Sequence, residues 1–595
     1  MSTVEVEACS VGELQPGQMK EVKIGSGKAV LYRVGDEYHA TSHLCPHYKA
    51  PLIKGVLSQD GRIMCPWHGA CFNTKTGDIE DGPSIDGLQS YETKVKGRAV
   101  YIKATDTAIA AGRRGPPAAV GKSSDQVTAV VIGGGAGGLQ AAESLRIEGF
   151  KGRVILLSRE DTLPVDRPKL SKSIKTTVEA VQLRNKEHFD KIGVEIELKT
   201  EVVGLDTKGK VLSLNGGRKV AYDYVVVASG GDPRRLPIPG SDLGNIHVVR
   251  GVSDATGLDA AITALQQTNG ADYRPKIIIV GSSFIGMEAA AVLAKIADLT
   301  VIGMEKVPFE RVLGADVGKA FMIMHEKAGV KFRMESVTER YEPSSANPKI
   351  VGAVIIKGTN ERLPADLVVL GVGVRCATDF LKSSGIPLER DGSVIVEDSM
   401  KVPGVDGVFA VGDIARYAYH LTGEKIRVEH WSVAQNQARV AAQNIAKLVK
   451  AKSDGGAVPE LTPFRTVPFF WTVQFGKSVR YAGHAESFDE VITKFTPSLE
   501  NMESLEAYYI RQNKVLAVAT LAKDPIAATG SELIRLGLMP SGSDIKRGTD
   551  LTKIKLGETP VSVKGAKSGD LPSWVIPAVI AVIAVGIAYY ITTQK

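Results

Sequence analysis

The sequence predicts a multidomain chain with an N-terminal all-β domain, two α/β nucleotide-binding domains, an α+β C-terminal domain and a single C-terminal transmembrane helix. Three observations predict this fold class. Up to about Thr105, short strand-like runs are separated by turn signals such as DGR, TGD and EDGP. From Gln126 onward, apolar strands alternate with helical stretches, and two of these strands run into glycine-rich turns. From Trp574 to Ile591, 18 residues carry no charge.

The composition is typical of a large globular protein. The chain has 595 residues, too many for one core, which favours about four domains. Its 73 Lys and Arg against 66 Asp and Glu leave a net charge of +7. No block of basic residues stands out, so we expect no nucleic-acid partner. The five cysteines are an odd number and too few for a secreted disulfide framework.

Changes in pattern along the chain predict the domain boundaries. The stretch 106–124 is rich in Ala, Gly and Pro, which indicates a linker. The strand–turn–helix pattern occurs twice, about 150 residues apart, which predicts two nucleotide-binding units. The predicted segments are the all-β domain (1–105), a linker (106–124), the first nucleotide-binding domain in two parts (125–255 and 389–461), the second (256–388), the C-terminal domain (462–545), a second linker (546–571) and the transmembrane helix (572–592).

The uncharged segment near the C-terminus predicts a membrane anchor. As a helix it would span ~27 Å, enough for a thin bilayer. Trp574 lies at one edge and Tyr589 and Tyr590 at the other, where aromatic rings prefer the membrane interface. The alternative is a buried core helix. We expect a tail anchor whose soluble body faces the cytosol, at the mitochondrial outer membrane or the endoplasmic reticulum.

Two loops of the N-terminal domain each supply one cysteine and one histidine. Cys45-Pro-His47 is followed, after 17 residues, by Cys65-Pro-Trp-His68. Two thiolates on one iron and two imidazoles on the other would hold a [2Fe–2S] cluster. A tetrahedral zinc site can also take two cysteines and two histidines. Zinc fingers, however, place the two cysteines together and the two histidines together.

The sequences of these loops, CPHYKAPL and CPWHGACFNTKTGD, closely resemble those of Rieske ferredoxin domains. High-potential Rieske proteins of respiratory chains carry an additional cysteine in each loop, and here Ala50 and Trp67 occupy those places. The resemblance therefore implies a low-potential cluster of the oxygenase-ferredoxin type, near the bottom of the roughly −150 to +300 mV Rieske range. Lys49 replaces the glycine that is commoner in this motif.

The first α/β unit carries a dinucleotide-binding fingerprint. The apolar strand VVI runs into Gly133-x-Gly135-x-x-Gly138. Glycines at this spacing let the backbone approach a pyrophosphate, whose charge lies at the following helix N-terminus. A second strand, RVILLSRE, ends in Glu160, in the region where a carboxylate binds a ribose hydroxyl.

Two further segments accompany this fingerprint: YDYVVVASGG, with Ala228-Ser229-Gly230, and VFAVGDIA, with Gly412-Asp413. Together they resemble the FAD-dependent pyridine-nucleotide reductases, with their Rossmann-like domains, over about 125–545. The resemblance implies bound FAD, with the aspartate of the GD motif on the ribityl chain. Many members of that superfamily carry a redox-active cysteine pair. The five cysteines here cannot form one, so we expect no disulfide reductase.

The runs LPVDRPKLSK, RVEHWSVAQNQA and VPFFWTVQFG narrow the resemblance to the ferredoxin reductases of oxygenase systems and to apoptosis-inducing factor. It implies that Arg167 and Trp431 bind the cofactor. It also implies that Lys172 lies near the isoalloxazine ring, paired with Glu288 as a catalytic pair. A cation there would stabilise the anionic reduced flavin. The alternative is an ordinary surface ion pair.

The second unit predicts the site for NADH or NADPH. Its fingerprint is Gly281-x-Ser283-x-x-Gly286, with serine at the middle glycine. Relatives that prefer NADH place a glutamate directly after the next strand, where it binds the adenosine 2′-OH. Here Gly303 stands at that position and Glu305 follows. Loss of that carboxylate predicts use of both cofactors, with less than roughly a hundredfold discrimination, about 2.7 kcal/mol. The alternative is that Glu305 restores an NADH preference.

A Rieske domain fused ahead of such a reductase is similar to the apoptosis-inducing factor 3-like family over nearly the whole soluble chain. The resemblance implies an NAD(P)H-dependent FAD oxidoreductase that passes electrons from nicotinamide via FAD to its own [2Fe–2S] cluster and on to an acceptor. The alternative is a redox-sensing apoptosis or signalling flavoprotein with slow reductase activity. The expected partners are NAD(P)H, the electron acceptor and, through the C-terminal helix, a membrane.

Overall fold

The computed structural model describes residues 2–116 and 127–557. The predicted transmembrane helix (572–592) and the later parts of both predicted linkers lie outside the described residues. Among the described helices, none is long and apolar enough to cross a membrane.

The N-terminal domain consists of two antiparallel sheets. A six-stranded sheet has the order β1-β10-β9-β4-β3-β2, and a four-stranded sheet has the order β5-β6-β7-β8. Residues 106–111, predicted as linker, form helix α1, and Ile109 is buried in the core of the six-stranded sheet. The elements are β1 (Thr3–Ser10), β2 (Met19–Ile24), β3 (Gly27–Val34), β4 (Glu37–Ser42), β5 (Val56–Leu57), β6 (Arg62–Met64), β7 (Cys71–Asn73), β8 (Ile79–Asp81), β9 (Ser90–Lys96), β10 (Ala99–Thr105) and α1 (Asp106–Ala111).

The first α/β domain begins with an apolar strand that is buried on both faces, as expected for a strand in the middle of a parallel sheet. Its first part also contains a small antiparallel sheet, β14-β15-β16. The elements are β11 (Thr128–Ile132), α2 (Ala136–Ile147), β12 (Arg153–Leu157), α3 (Val178–Val181), α4 (Lys186–Lys191), β13 (Val194–Glu197), β14 (Val202–Asp206), β15 (Val211–Leu214), β16 (Lys219–Ala221), β17 (Tyr224–Val227) and β18 (Gly231–Pro233).

The second α/β domain repeats the design, with a parallel sheet of order β19-β26-β20-β21-β22. The elements are β19 (Ile246–Val248), α5 (Val252–Asn269), β20 (Lys276–Val280), α6 (Phe284–Leu293), β21 (Asp298–Ile302), α7 (Glu310–Leu313), α8 (Ala315–Lys327), β22 (Lys331–Arg333), β23 (Thr338–Pro343), β24 (Val351–Ile356), β25 (Arg362–Pro364), β26 (Leu367–Leu370) and β27 (Val374–Cys376).

The chain then returns to the first α/β domain. Its added strand β29 completes the parallel sheet β13-β12-β11-β17-β29, and the long helix α9 packs on α2. Leu139 of α2 and Ala438 and Ala442 of α9 are buried in the same core. The elements of this part are β28 (Val394–Ile395), β29 (Val408–Ala410), β30 (Ala415–Ala418), β31 (Lys425–Ile426) and α9 (Trp431–Ser453).

The C-terminal domain is a five-stranded antiparallel sheet of order β32-β33-β36-β35-β34, with α10 packed on β33 and β36. Residues at the start of the second predicted linker still pack, since Leu551 is buried in this domain. The elements are β32 (Phe469–Gln474), β33 (Lys477–Gly483), β34 (Glu490–Thr496), β35 (Ser504–Arg511), β36 (Lys514–Leu521), α10 (Ile526–Leu536) and α11 (Gly542–Lys546). The all-β and α/β parts of the predicted fold class are thus confirmed.

Candidate functional site

The first glycine fingerprint forms a backbone cradle between β11 and α2. A β-carbon at residue 133 would lie 2.3 Å from the carbonyl oxygen of Ala228, and one at residue 138 would lie 1.7 Å from that of Gly133. Neither position has room for a side chain, so strand, turn and helix pack closely. α2 begins at Ala136, directly after Gly135, so its first backbone N–H groups can receive an anionic pyrophosphate.

A cavity of about 740 Å³ extends from this cradle to both the second α/β domain and the C-terminal domain. The predicted site residues that line it are Gly133, Gly135, Glu160, Arg167, Lys172, Ala228, Ser229, Gly230, Glu288, Gly412, Asp413 and Trp431. Gly138, Gly281 and Gly286 lie outside its lining. In the second fingerprint, a β-carbon at residue 286 would lie 2.1 Å from the carbonyl oxygen of Gly281, so these glycines form a matching cradle.

The polar groups of the cavity fit FAD. Arg167 donates a 2.8 Å hydrogen bond to Glu160, which holds that carboxylate beside the cradle. A carboxylate oxygen of Asp413 lies 3.4 Å from Arg250 Nη2. The hydroxyl oxygen of Ser229 is buried, and within the described ranges it has no hydrogen-bond partner. Buried polar groups normally have partners, so this hydroxyl marks a place for a ligand atom.

Lys172 and Glu288 form a buried pair rather than an ordinary surface pair. Lys172 Nζ lies 2.8 Å from Glu288 Oε2, and the Glu288 side chain is only 3% exposed. Ser171 donates to the same oxygen, and Thr472 Oγ1 donates to the other at 2.7 Å. Each carboxylate oxygen thus has a donor, as a buried charge requires. The pair, together with Thr472, joins all three reductase domains at the cavity wall.

The hydrogen bonds continue from Thr472 into the protein interior. Gln474 Nε2 donates to Thr472 Oγ1 at 2.9 Å, and Gln474 Oε1 accepts from His325 Nε2 at 3.0 Å. The amide oxygen can only accept, so the imidazole nitrogen carries the proton. Burial lowers the pKa of His325 to about 4, which keeps the ring neutral. This chain of contacts was missed from the sequence.

The two cysteine–histidine loops have the same backbone geometry. In the first, Cys45 N–H donates to Ala50 O at 2.9 Å and Lys49 N–H donates to Cys45 O at 2.9 Å. In the second, Cys65 makes the equivalent bond to Ala70 at 2.7 Å, and residue 69 bonds back to Cys65 at 3.3 Å. Lys49 has a φ of 60°, in the left-handed region that glycine adopts more easily. The loops therefore present their side chains in matching positions.

The four predicted ligands come together at the tips of these loops. Both cysteines are buried, and a hydrogen bond with Cys65, together with burial, raises the pKa of the Cys45 thiol. The His47 and His68 rings lie 4.9 Å apart. Burial lowers the pKa of His47 to about 4 and of His68 to about 2, so both are neutral and able to bind a metal.

These residues fit a [2Fe–2S] cluster. His47 Nδ1 is buried and lacks a hydrogen-bond partner in the described part of the chain, so it is available as a ligand. Across the same residues, no three His, Cys, Asp or Glu side chains are grouped around one ion position. A Rieske cluster needs fewer protein ligands at each iron, because each of its two irons takes only two protein side chains.

The cluster loops face the cavity across a single aromatic side chain. Trp471, on β32, lines the cavity, and its ring centroid lies 4.3 Å from that of His68 and 5.6 Å from that of His47. His68 is only 7% exposed. The motif VPFFWTVQFG contains Trp471, but its sequence did not predict that this residue lies at the site. Its apolar, strand-like surroundings carry no signal for a contact with a distant domain.

Close contacts dock the N-terminal domain on the reductase part. Tyr48 OH donates to Asp166 at 2.8 Å, and the backbone N–H of Gly82 donates to Asn436 Oδ1 at 2.8 Å. A β-carbon at Gly69 would lie 2.6 Å from the ring of Phe469, so glycine is required for this approach. The two parts therefore meet through close contacts at several points.

A buried ion network reinforces this docking. Arg62 pairs with Glu80 and Asp81 of its own domain, and its Nε lies 4.0 Å from Glu532 on α10. The Arg62 side chain is 14% exposed and that of Glu532 is 1% exposed. Arg535 adds a second connection, 2.9 Å from Asp60.

The families that this chain matches are consistent with the cofactors that fit the site. Residues 127–438 match the pyridine nucleotide-disulphide oxidoreductase family, and residues 4–92 match the Rieske [2Fe–2S] domain. The chain therefore belongs to the pyridine nucleotide-disulphide oxidoreductases and carries a Rieske domain ahead of the reductase. It is an NAD(P)H-dependent flavin oxidoreductase of the ferredoxin-reductase type, with FAD and a [2Fe–2S] cluster as its cofactors.

Within that class, the chain is similar to apoptosis-inducing factor 3. It is 37% identical to the human protein over 580 residues, covering 96% of this chain and 88% of the relative. It is also 27% identical to putidaredoxin reductase of Pseudomonas putida, covering 69% of this chain and 92% of that protein. Among solved structures, the covalent putidaredoxin reductase–putidaredoxin complex matches with a TM-score of 0.61 and 25% identity, covering 71% of this chain and 96% of that one. The predicted family resemblance is confirmed.

Proposed function

We propose that each chain passes electrons from NAD(P)H via FAD to its own Rieske cluster and on to an external acceptor. The observation that carries this proposal is the position of Trp471, which lines the cavity and also packs on His68. One side chain thus touches both the space that fits the flavin and a predicted cluster ligand. The putidaredoxin reductase complex pairs a reductase with a separate protein. Here a Rieske domain is part of the same chain as the reductase.

When bound, FAD would take a hydride from nicotinamide and release electrons one at a time, and the cluster would carry single electrons. The residues of the chain supply position and charge. The N-terminus of α2 and the carboxylate of Glu160 would hold the pyrophosphate and ribose. Lys172 presents a cation to the cavity while Glu288 fixes its position. Trp471 lines the cavity and packs on both histidines.

The test is a single-turnover reduction of the holoprotein by NADH, followed at the cluster absorbance. For transfer within one chain, we expect a rate that does not depend on protein concentration, because the donor and acceptor are already docked. A complementation experiment sharpens the test. A His68→Ala chain, expected to keep flavin, is mixed with a Gly138→Val chain, expected to keep the cluster. Cluster reduction in the mixture that is much slower than in the unmodified holoprotein supports the proposal, and reduction as fast as in the unmodified holoprotein contradicts it.

A second candidate function is redox sensing with slow reductase activity. The observation that favours it is the burial of His68 against Trp471, because an external acceptor cannot approach that histidine while the domains are docked. Steady-state reduction of ferricyanide and cytochrome c by NADH separates the two functions. Rapid turnover favours a reductase, whereas a reduced flavin and cluster that persist in the presence of acceptor favour a sensor.

The membrane anchor belongs to this proposal and rests on the sequence of residues 572–592 alone. We propose that this segment fixes the body at the mitochondrial outer membrane or the endoplasmic reticulum, facing the cytosol. The test is deletion of 572–595. We expect the truncated protein to leave the membrane fraction and to keep its NADH–ferricyanide activity, since the described cavity and cluster loops lie before residue 480.

A further inference from the structure

Packing explains why the loop after β21 lacks the expected carboxylate at residue 303. A β-carbon at Gly303 would lie 2.6 Å from Ser282 Oγ and 2.7 Å from the terminal methyl of Met334. The hydroxymethyl group of Ser282, in the second glycine fingerprint, therefore occupies the space that a side chain at residue 303 would need. The side chain of Ser282 and the absence of a side chain at Gly303 are therefore coupled through packing.

The same serine holds a carboxylate from two residues further along. Ser282 Oγ donates to Glu305 Oε2 at 3.1 Å. The loop that carries Glu305 is fixed on both sides, since Glu335 N–H donates to Glu305 O at 3.1 Å and Phe309 N–H donates to Ser282 O at 3.2 Å. Glu305 is therefore placed beside the fingerprint by the fold, at the end of the strand whose carboxylate normally meets a ribose hydroxyl.

An exposed arginine lies against this carboxylate. Arg311 Nε is 3.2 Å from Glu305 Oε1, and the Arg311 side chain is 75% exposed, against 23% for Glu305. Such an exposed pair is weak, so the guanidinium can exchange one anionic partner for another at little cost. Guanidinium groups bind phosphate through two parallel hydrogen bonds, which an ammonium group cannot do.

We propose that Glu305 and Arg311 together set the choice between NADH and NADPH. With NADH, Glu305 accepts a hydrogen bond from the adenosine 2′-OH and Arg311 neutralises the carboxylate. With NADPH, Arg311 binds the 2′-phosphate and offsets the repulsion from Glu305. The pair therefore permits both dinucleotides, and it does so independently of the route that electrons take after the flavin.

The test measures binding as well as turnover, on the full-length holoprotein. Dissociation constants for 5′-ADP and 2′,5′-ADP are determined by calorimetry, together with kcat/KM for NADH and NADPH. Arg311→Gln is expected to weaken 2′,5′-ADP binding about tenfold or more, because a charge-assisted contact is lost, and to change 5′-ADP binding less than about twofold. Glu305→Gln is expected to weaken 5′-ADP about tenfold and to strengthen 2′,5′-ADP.

Arg362→Gln is the matched control. Arg362 is also an exposed arginine paired with a glutamate, Glu342, but it lies on β25. It should leave the ratio of the two affinities unchanged. The proposal is overturned if Arg311→Gln weakens both ligands equally or neither, or if Glu305→Gln leaves 5′-ADP binding unchanged. Retained 5′-ADP binding in Arg311→Gln shows that the domain is folded, and these binding data stand whether or not the flavin reduces the cluster in the same chain.

Discussion

The indole ring of Trp471 lies 4.3 Å, centroid to centroid, from the imidazole ring of His68, with an interplanar angle of 46°. The two residues belong to different domains, and β32 delivers the tryptophan while a loop after β6 delivers the histidine. Because Trp471 also lines the cavity, this contact connects the flavin site directly to a cluster ligand. The first prediction tests it.

Replacing Trp471 with Leu should slow the transfer of electrons to the cluster without slowing the reduction of flavin by NADH. The smaller side chain leaves a gap that water can enter, so we expect about a tenfold decrease in the rate of cluster reduction, about 1.4 kcal/mol in the barrier. Stopped-flow absorbance resolves the two phases. Trp471→Phe, which keeps an aromatic ring, should lose less. Equal slowing of both phases would mean that the residue only shapes the cavity.

Replacing His68 with Ala should remove the Rieske EPR signal and leave bound flavin intact. The reason is that the cluster loops pack in one hydrophobic core and the first α/β domain in another. The measurement is the ratio of FAD to protein alongside the EPR spectrum of the reduced protein. Loss of flavin together with the cluster signal would show that the two domains do not hold their cofactors independently.

The parts of the site that the sequence predicts are those set by neighbouring residues. Cys45 and His47 lie in one loop, and Gly133 and Gly138 lie in one turn, so spacing alone carries the chemistry. The contact of Trp471 with His68 depends on how two domains dock, and no local pattern encodes that docking.

The position of Glu305 shows that packing within one domain also escapes prediction from the local sequence. The sequence identifies the missing carboxylate at Gly303. Only the packing of Ser282 over Gly303 shows why a side chain is excluded there, and only the structure shows that Ser282 holds the later Glu305 beside the fingerprint.

Removing the charge of Arg62 should loosen the docked N-terminal domain. Arg62→Ala would leave Asp81, whose side chain is 14% exposed, without its cation, while Glu532 keeps its ion pair with Arg535 at 2.6 Å. Removing one partner of a buried pair costs about 3–5 kcal/mol. We expect the cluster absorbance to be lost at lower urea concentration and cluster reduction to slow.

The control for this prediction is an exposed pair in the same domain. Lys94 pairs with Glu92 at 2.6 Å, with both side chains about half exposed. Lys94→Ala should leave the urea midpoint almost unchanged, because exposed ion pairs contribute little to stability. Arg62→Ala with an unchanged urea midpoint would show that the ion network does not hold the domains together.

Removing the cation of Lys172 should lower the reduction potential of the flavin. Lys172 lies beside the cavity and pairs with buried Glu288, so Lys172→Met leaves a negative charge near the reduced flavin. We expect a decrease of about 30 mV or more, equivalent to about 1.4 kcal/mol for two electrons. Spectroscopic redox titration measures it. Glu288→Gln should shift the potential upward, and Lys175→Met, at an exposed neighbouring lysine, should leave it unchanged. An unchanged reduction potential in Lys172→Met would show that the charge of this residue does not act on the flavin.

His325 should make the fold less stable in mild acid. Burial lowers the pKa of His325 to about 4, whereas the ring in the unfolded chain titrates at about 6.5. Above pH 6.5 the ring is neutral in both states. As the pH falls from 6.5 towards 4, only the unfolded state binds the proton, so the free energy of unfolding decreases by about 1.4 kcal/mol per pH unit from this group. Between pH 7.5 and pH 5 the loss is about 2 kcal/mol.

The test is His325→Gln, which keeps a donor for Gln474 and cannot titrate. Its free energy of unfolding should fall by about 2 kcal/mol less over the same interval, measured by urea unfolding at both pH values. Other buried histidines, such as His420, lower stability in both proteins and cancel in the comparison. An equal pH dependence in the two proteins would show that His325 gains its proton in the folded state as readily as in the unfolded chain.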